Sequence, residues 1–407
     1  MMHEWWHYIQ DISTSSAQNG FYMLMRDIVC ISKVTCSKQG ETINVPLPLN
    51  VFGKRFNQYR NFYNDYCADG YAKDRKSVTA EPIIEIDKKI LDGEERIQAN
   101  CFVELDGVKE NFGLVALQEL NAFYAQKVAE GYLSGVAFRK PVDSLPGYPY
   151  HLGDMLFDHY GITANLRSKF IISTVCLDSL QAPVVFLKVL QQLKGQHIDY
   201  LNQRDEVLGL INSVKSTYSH DNFEAYCEWK KDYDVWSDKS NGHEYIATPL
   251  QWYWKTIGLA RWSMIDYGDD ILAITYSAGM DSLNKLYDTF PAPLIKQDGE
   301  IKGTSLNSDP TNKDTQDSFD AALAIWSLRR IYLVLTATKH KTINEYSACP
   351  LFEKCRYKYQ VDDDYSCQRA PWEVVKGRKK ADCPYAAAAH TMGLWQNSLD
   401  IIIDQLK

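Results

Sequence analysis

The stretch "HEWWHYIQ" at residues 3–10 constrains this chain more than any other. On a helix, residues four apart share a face, so His3 and His7 can point two imidazoles at one place. Glu4 follows His3 about a quarter-turn round. Trp5, Trp6, Ile9 and Ile12 supply an apolar set at helical spacing, which predicts a helix over 3–15. The same helix must therefore bury one face and offer a polar, ligand-like face to something else.

Two imidazoles on one face with a neighbouring glutamate form a recognised zinc pattern. His3 and His7 would ligate the metal, and Glu4 would take a proton from water that the metal has made acidic. A catalytic zinc needs a third protein ligand and an open position. The helical stretch at 113–131 offers Glu119 and Glu130. Helical spacing puts Glu119, Gln126 and Glu130 on one strip, flanked by Val115 and Phe123. Periodicity does not choose between a ligand strip and a solvated one.

Two motifs together carry a resemblance. "HEWWHYIQ" at 3–10 and "GLVALQELNA" at 113–122 resemble a bacterial group of zincin-type, gluzincin-like H-E-x-x-H zinc metallopeptidases. In that group, an H-E-[aromatic]-x-H-[aromatic]-[Leu/Ile]-Q helix precedes short strands. A later G-x-x-x-[apolar]-x-E-x-x-A helix carries the third ligand. Gly113, Glu119 and Ala122 match the second pattern. The resemblance implies Zn²⁺ held by His3, His7 and Glu119, with Glu4 as general base. It spans about residues 1–195, counting "STVCLDSLQAPVVFLKVL". Members usually carry residues ahead of the motif helix. Here either the start is truncated, or the segments at 28–52 and 82–108 supply the whole sheet.

Other groups are candidates for supporting roles. Asp11, one turn after His7, is placed to take the free ring N–H of that histidine. Tyr148, Tyr150 and His151, in "GYPYHLGD", are candidates for stabilising the oxyanion formed when water attacks an amide. His159 and Tyr160 follow shortly after. Turn packing is the competing reading for all of them.

A second constellation lies late in the chain. Cys349, Cys355, Cys367 and Cys383 fall within 35 residues, while the other six cysteines are scattered over the preceding 348. Four thiolates could hold a structural Zn²⁺ or an iron–sulfur cluster, or stay unligated. The spacing lacks C-x2-C knuckles. His390 could replace one cysteine. A metal there would staple a loop-rich segment, a structural role.

The expected fold is α+β, in three parts. Residues 1–145 would form the zincin-like core, with short antiparallel strands. Residues 146–340 would be mainly helical, and 341–407 a Cys-rich segment with a final helix. Residues 28–52 read as extended, from their β-branched residues, a "KQGE" turn signal and prolines. Residues 82–112 read as three strands parted by Asp-Gly at 92–93 and at 106–107. A long helix is expected from residue 318, and the stretch from "AAAAH" to the last residue reads as helix.

Composition narrows the function. The net charge of −8 removes a global basic footprint and speaks against nucleic acid, leaving "KGRKK" at 376–380 as the densest basic run. There is no signal-peptide pattern and no run of 18 apolar residues, so a cytoplasmic protein without a membrane span is expected. No P-loop motif is present. The leading expectation is zinc-dependent peptide-bond hydrolysis on a narrow range of protein substrates, since over half the chain lies outside the motifs. The competing one is a non-catalytic, metal-stabilised module that binds protein or nucleic acid through the late Cys segment.

Overall fold

The structure is a computed structural model and describes residues 2–38, 40–47, 72–91, 94–132, 145–218, 222–236, 244–290, 295–297, 300–302, 313–336, 349, 384–394 and 398–401. In chain order the elements begin with α1 (Met2–Ser13), α2 (Ser15–Cys36), β1 (Thr42–Val45), β2 (Ile83–Leu91), β3 (Glu94–Leu105) and β4 (Val108–Asn111). Then come α3 (Leu114–Tyr132), α4 (Leu152–His159), β5 (Thr163–Ala164), α5 (Leu166–Leu177), α6 (Ala182–Gln192) and β6 (His197–Ile198). They are followed by α7 (Arg204–Tyr218), α8 (Asn222–Trp236), α9 (Glu244–Tyr267), α10 (Ile271–Tyr276) and α11 (Met280–Thr289). The last are β7 (Ile295–Gln297), β8 (Glu300–Lys302), α12 (Lys313–Leu335), α13 (Pro384–Thr391) and β9 (Ser398–Ile401). The fold is mixed, mostly helix with small sheets. Among the described residues, no helix is long and apolar enough to cross a membrane.

The chain divides into two compact units. The first comprises Met1–Phe21, Gln58–Glu228 and Thr256–Ala292. Its centre is α3, which packs on both α1 and α5. That position explains its sequence: Leu117, Leu120, Asn121, Phe123, Tyr124 and Ala125 are all buried, nearly the full circumference of the helix. Helix α5 is equally enclosed, with Phe170, Ile171, Ile172 and Val175 fully buried, and Asn165 caps it by accepting from Ser168 N.

The strands β2, β3 and β4 form the antiparallel meander that the alternation at 82–112 predicts. Ile83 pairs with Phe102, and Phe102 with Asn111. Asp106 and Gly107 both hold positive φ, at 50° and 78°, as a two-residue hairpin turn requires. Alternate residues Cys101, Val103 and Leu105 are buried, and α6 packs on β3.

Helix α1 is anchored by its apolar face. Trp5 and Trp6 are completely buried. Trp5 Nε1 donates to Phe290 O at 3.0 Å, and its ring stacks with Tyr276 at 5.8 Å. Trp6 lies against Phe170 at 4.8 Å and Tyr276 at 4.6 Å. Only Thr14 separates α1 from α2. At that joint, Asp178 Oδ1 accepts from Ser15 N at 3.0 Å and from Ser15 Oγ at 2.7 Å. Asp178 also pairs with Arg261 at 2.9 Å and with Lys215 at 3.4 Å, and Lys215 reaches Asp269 at 2.9 Å. A carboxylate thus meets the unsatisfied first amide of α2 while two cations balance it.

The second unit comprises Tyr22–Asn57, Trp229–Lys255 and Pro293–Lys407. Here β1 and β9 pair in parallel, Thr42 beside Ser398 and Val45 beside Ile401. Helix α12 packs on α13. Tyr22 stacks between Trp229 and Trp236, with interplanar angles of 28° and 20°.

Two expectations are corrected. Residues 28–36, read as extended, are helical as the end of α2, and among the described residues of that stretch only Thr42–Val45 is strand. Ile28, Ile31, Ser32 and Thr35 are buried at 3–4-residue spacing, so helical periodicity overrides the β-propensity of their branched side chains. The final stretch is not one helix either. Gly393 follows α13 with φ of +68°, where an added Cβ would lie 2.8 Å from Cys36 Sγ, and the chain re-forms as β9.

Candidate metal centre

Helices α1 and α3 cross so that three side chains meet. His3 Nε2 lies 3.1 Å from Glu119 Oε2, and His7 Nε2 lies 3.5 Å from Glu119 Oε1. The two Nε2 atoms are 3.2 Å apart. Among the described residues, this is the group of three potential ligands that could hold a metal ion. Metal–ligand bonds of about 2.0–2.1 Å at a tetrahedral angle give donor–donor edges of about 3.3 Å. The two imidazole nitrogens, 3.2 Å apart, lie close to that value, each has a different Glu119 oxygen within 3.5 Å, and two imidazoles with one carboxylate are a donor set suited to zinc.

The electrostatics follow from the same contacts. Burial by itself would raise the Glu119 pKa, but hydrogen bonds and charge from His3 and His7 outweigh it and hold the carboxyl at about 2. Burial would lower the His7 pKa. Glu119 and Gln10 outweigh it, and the imidazole titrates above its ordinary value. Glu119 is therefore a carboxylate at neutral pH, ready to ligate.

The other sequence candidates divide. Glu4 is exposed, next to His3, and close enough to Tyr150 for its charge to be felt there. Tyr150 also borders the site, its ring 6.0 Å from that of His3. Burial, then the charges of Glu119 and Glu4, raise its pKa, so the hydroxyl keeps its proton. Tyr148 is fully buried, and its hydroxyl donates to Asn111 O at 2.7 Å. His151 packs edge-on against Phe123 at 4.6 Å. His159 and Tyr160 both contact Glu81, away from the cluster.

Glu130, the alternative third ligand, accepts from Gln126 at 3.0 Å. It sits eleven residues beyond Glu119 on α3, about 16 Å along the helix axis. Among the late cysteines Cys349 is half-buried, and Cys355, Cys367, Cys383 and the "KGRKK" run lie outside the described residues.

Gln10 takes the place expected for Asp11. His7 Nδ1 faces Gln10 Oε1 at 2.8 Å, while Asp11 is exposed and acts on His7 only through its charge. Gln10 is three residues after His7 and belongs to the buried face of α1. Its place in "HEWWHYIQ" was the available signal. Gln10 Nε2 donates to Gln118 O at 3.1 Å and to Asn121 Oδ1 at 2.8 Å, two residues on α3 beside Glu119.

The segment that carries Tyr150 is fitted closely. A Cβ on Gly147 would fall 1.6 Å from Arg75 O, and one on Gly153 would fall 2.3 Å from Tyr124 Oη. Both positions need glycine for close approach rather than for an unusual φ. No protein-family model, curated protein or solved structure matches this chain.

Proposed function

We propose that this protein is a zincin-like, zinc-dependent peptidase whose metal is held by His3, His7 and Glu119. One observation carries the reading: donor atoms from two helices, 112 residues apart in sequence, converge with mutual spacings of 3.1–3.5 Å. The peptide class of substrate follows from the H-E-x-x-H pattern, in which a glutamate stands beside two ligating histidines. A narrow range of protein substrates follows from the size of the chain beyond the site.

Zinc held there with a position open would polarise a carbonyl and lower the pKa of its water. The chain's own groups do the rest. Glu4 is exposed beside His3, and its side chain is the group that would accept the proton of the attacking water. Tyr150 keeps its phenolic proton and donates it as a hydrogen bond to the oxygen that gains charge. Glu119 stays ionised, so its carboxylate would be available to hold the cation together with the two imidazoles.

The test is metal analysis joined to a peptide-cleavage assay. Wild-type protein is expected to bind one zinc per chain at this site, and His3→Ala and His7→Ala to lose it. Glu4→Gln is expected to keep zinc and lose cleavage. Unchanged zinc content in both histidine variants would sink the proposal.

A further inference from the structure

The polar groups behind His7 form a chain whose direction is fixed at every step. It begins with the Trp6 indole, which can only donate, and which gives its Nε1–H to Asn121 Oδ1 at 2.6 Å. That contact identifies the oxygen side of the Asn121 amide. The nitrogen side is identified independently. Asn121 Nδ2 lies 2.8 Å from Ser173 Oγ and 2.9 Å from Thr174 Oγ1, and each of those hydroxyls donates to Phe170 O, leaving its lone pairs to accept.

The same logic passes to Gln10. Its Nε2 faces two acceptors, Asn121 Oδ1 at 2.8 Å and the Gln118 carbonyl at 3.1 Å, so that atom is the amide nitrogen. The other end of Gln10 is then an oxygen, which accepts only. It lies 2.8 Å from His7 Nδ1. Gln10 and Asn121 are both at least nine-tenths buried, so water does not offer an alternative partner.

We infer that Trp6, Asn121 and Gln10 act as a polarity relay that holds a proton on His7 Nδ1, so that Nε2, the nitrogen beside Glu119 and His3, is the one left to ligate. These are positioning residues. They deepen the metal-site reading and rest on it for their functional consequence. The relay also links α1 to α3 through side chains that read both helices. It therefore sets the tautomer and the helix register with the same atoms. An acceptor on the far ring nitrogen is the general device for preparing a histidine to ligate. Here the acceptor is a neutral amide whose orientation is dictated from a buried indole.

A consequence follows for His3. If His7 Nε2 carries no proton, the 3.2 Å contact between the two Nε2 atoms needs the proton on His3. His3 Nε2–H then also serves Glu119 Oε2 at 3.1 Å. His3 Nδ1 is buried with no partner among the described residues, which suits an unused acceptor better than a stranded N–H. The two histidines are thus backed unequally: Gln10 faces the far nitrogen of His7, and no described residue faces that of His3.

The test reads tautomers directly. The full chain, labelled with ¹⁵N-histidine and stripped of metal by a chelator, is examined by long-range ¹H–¹⁵N correlation at alkaline pH, where the imidazoles are neutral. His7 is assigned from the signal missing in His7→Gln. The wild type is expected to show His7 protonated on Nδ1, and an Nε2–H signature there overturns the relay whatever the protein does with zinc. Gln10→Met removes the acceptor at nearly constant volume. It is expected to move the His7 proton toward Nε2 and to weaken binding of Zn²⁺ alone, measured by chelator competition, about 10–100-fold. Gln10→Glu restores an acceptor and is expected to return the Nδ1–H signature. Unchanged tautomer and affinity in Gln10→Met would also overturn the proposal. If the wild type shows Nδ1–H but binds no zinc, the relay stands and the peptidase reading falls.

Discussion

Two tyrosines two residues apart show how much function turns on where a single side chain ends up. Tyr148 and Tyr150 share the segment "GYPY", yet one is sealed against Asn111 O and the other borders His3. Their predicted behaviours differ accordingly. Tyr150→Phe is expected to lower kcat about 10²–10³-fold, the range for removing one donor to a developing oxyanion. KM and zinc content should change little. Tyr148→Phe is expected to leave kcat alone and cost about 1 kcal/mol of stability, the net worth of one buried hydrogen bond. Steady-state kinetics and denaturant melts on the two variants check this. Equal kinetic loss in both would mean the segment acts only as a scaffold. The sequence offered both tyrosines as equal candidates. Nothing in "GYPY" tells which hydroxyl meets a carbonyl, because that depends on Asn111, 37 residues upstream.

At the scale of elements, the question is what holds α1 in place. One answer was legible: Trp5 and Trp6 fall on the apolar side of a helical period, and both are buried. The other was not. Asp178, Arg261 and Lys215 come from three distant parts of the chain and meet at the first amide of α2. Isolated charges give no periodic signal, so pattern reading passes over them. The meander and α3 were legible for the opposite reason, since each repeats its pattern over many residues. The extended reading of 28–36 failed where branched side chains and helical spacing conflict.

The charge cluster carries a pH prediction. Burial works to raise the Asp178 pKa, but Arg261 and Lys215 outweigh it and hold the carboxyl well below its ordinary 3.8. A depressed carboxyl contributes stability that is present above its unfolded pKa and lost as pH falls toward the folded one. Lys215 is shifted the other way: burial lowers its pKa, and Asp178 and Asp269 bring it above 10.5. Its contribution is present below 10.5 and lost as pH rises through the folded value. Asp178→Asn leaves two cations facing a neutral amide, and is expected to cost about 3–5 kcal/mol at neutral pH. The cost should begin to shrink below about pH 4, where the unfolded wild type takes up a proton on Asp178, and go on shrinking as pH falls toward the folded value. Thermal melts of both proteins across pH test this. A difference that stays constant into acid would rule out the charge as its cause.

For the whole molecule, the ligands of the proposed metal all belong to one of the two units. His3 and His7 come from Met1–Phe21, and Glu119 from Gln58–Glu228. Zinc at this site would therefore close a link across about 110 residues of the first unit. Binding to the folded state alone stabilises by mass action, about 2.7 kcal/mol when free ligand stands at one hundred times Kd. Amides of α1 and α3 that exchange only when the first unit unfolds should then slow about 100-fold. Amides of the β1–β9 pair lie in the second unit, where zinc has no ligand among the described residues. Hydrogen exchange read by mass spectrometry, with Zn²⁺ and with a chelator, separates the two. Protection concentrated in Met2–Ser13 and Leu114–Tyr132, and absent in His7→Ala, is the expected pattern. Protection that appears only in the second unit would place the metal at other ligands and leave His3, His7 and Glu119 as a hydrogen-bonded cluster.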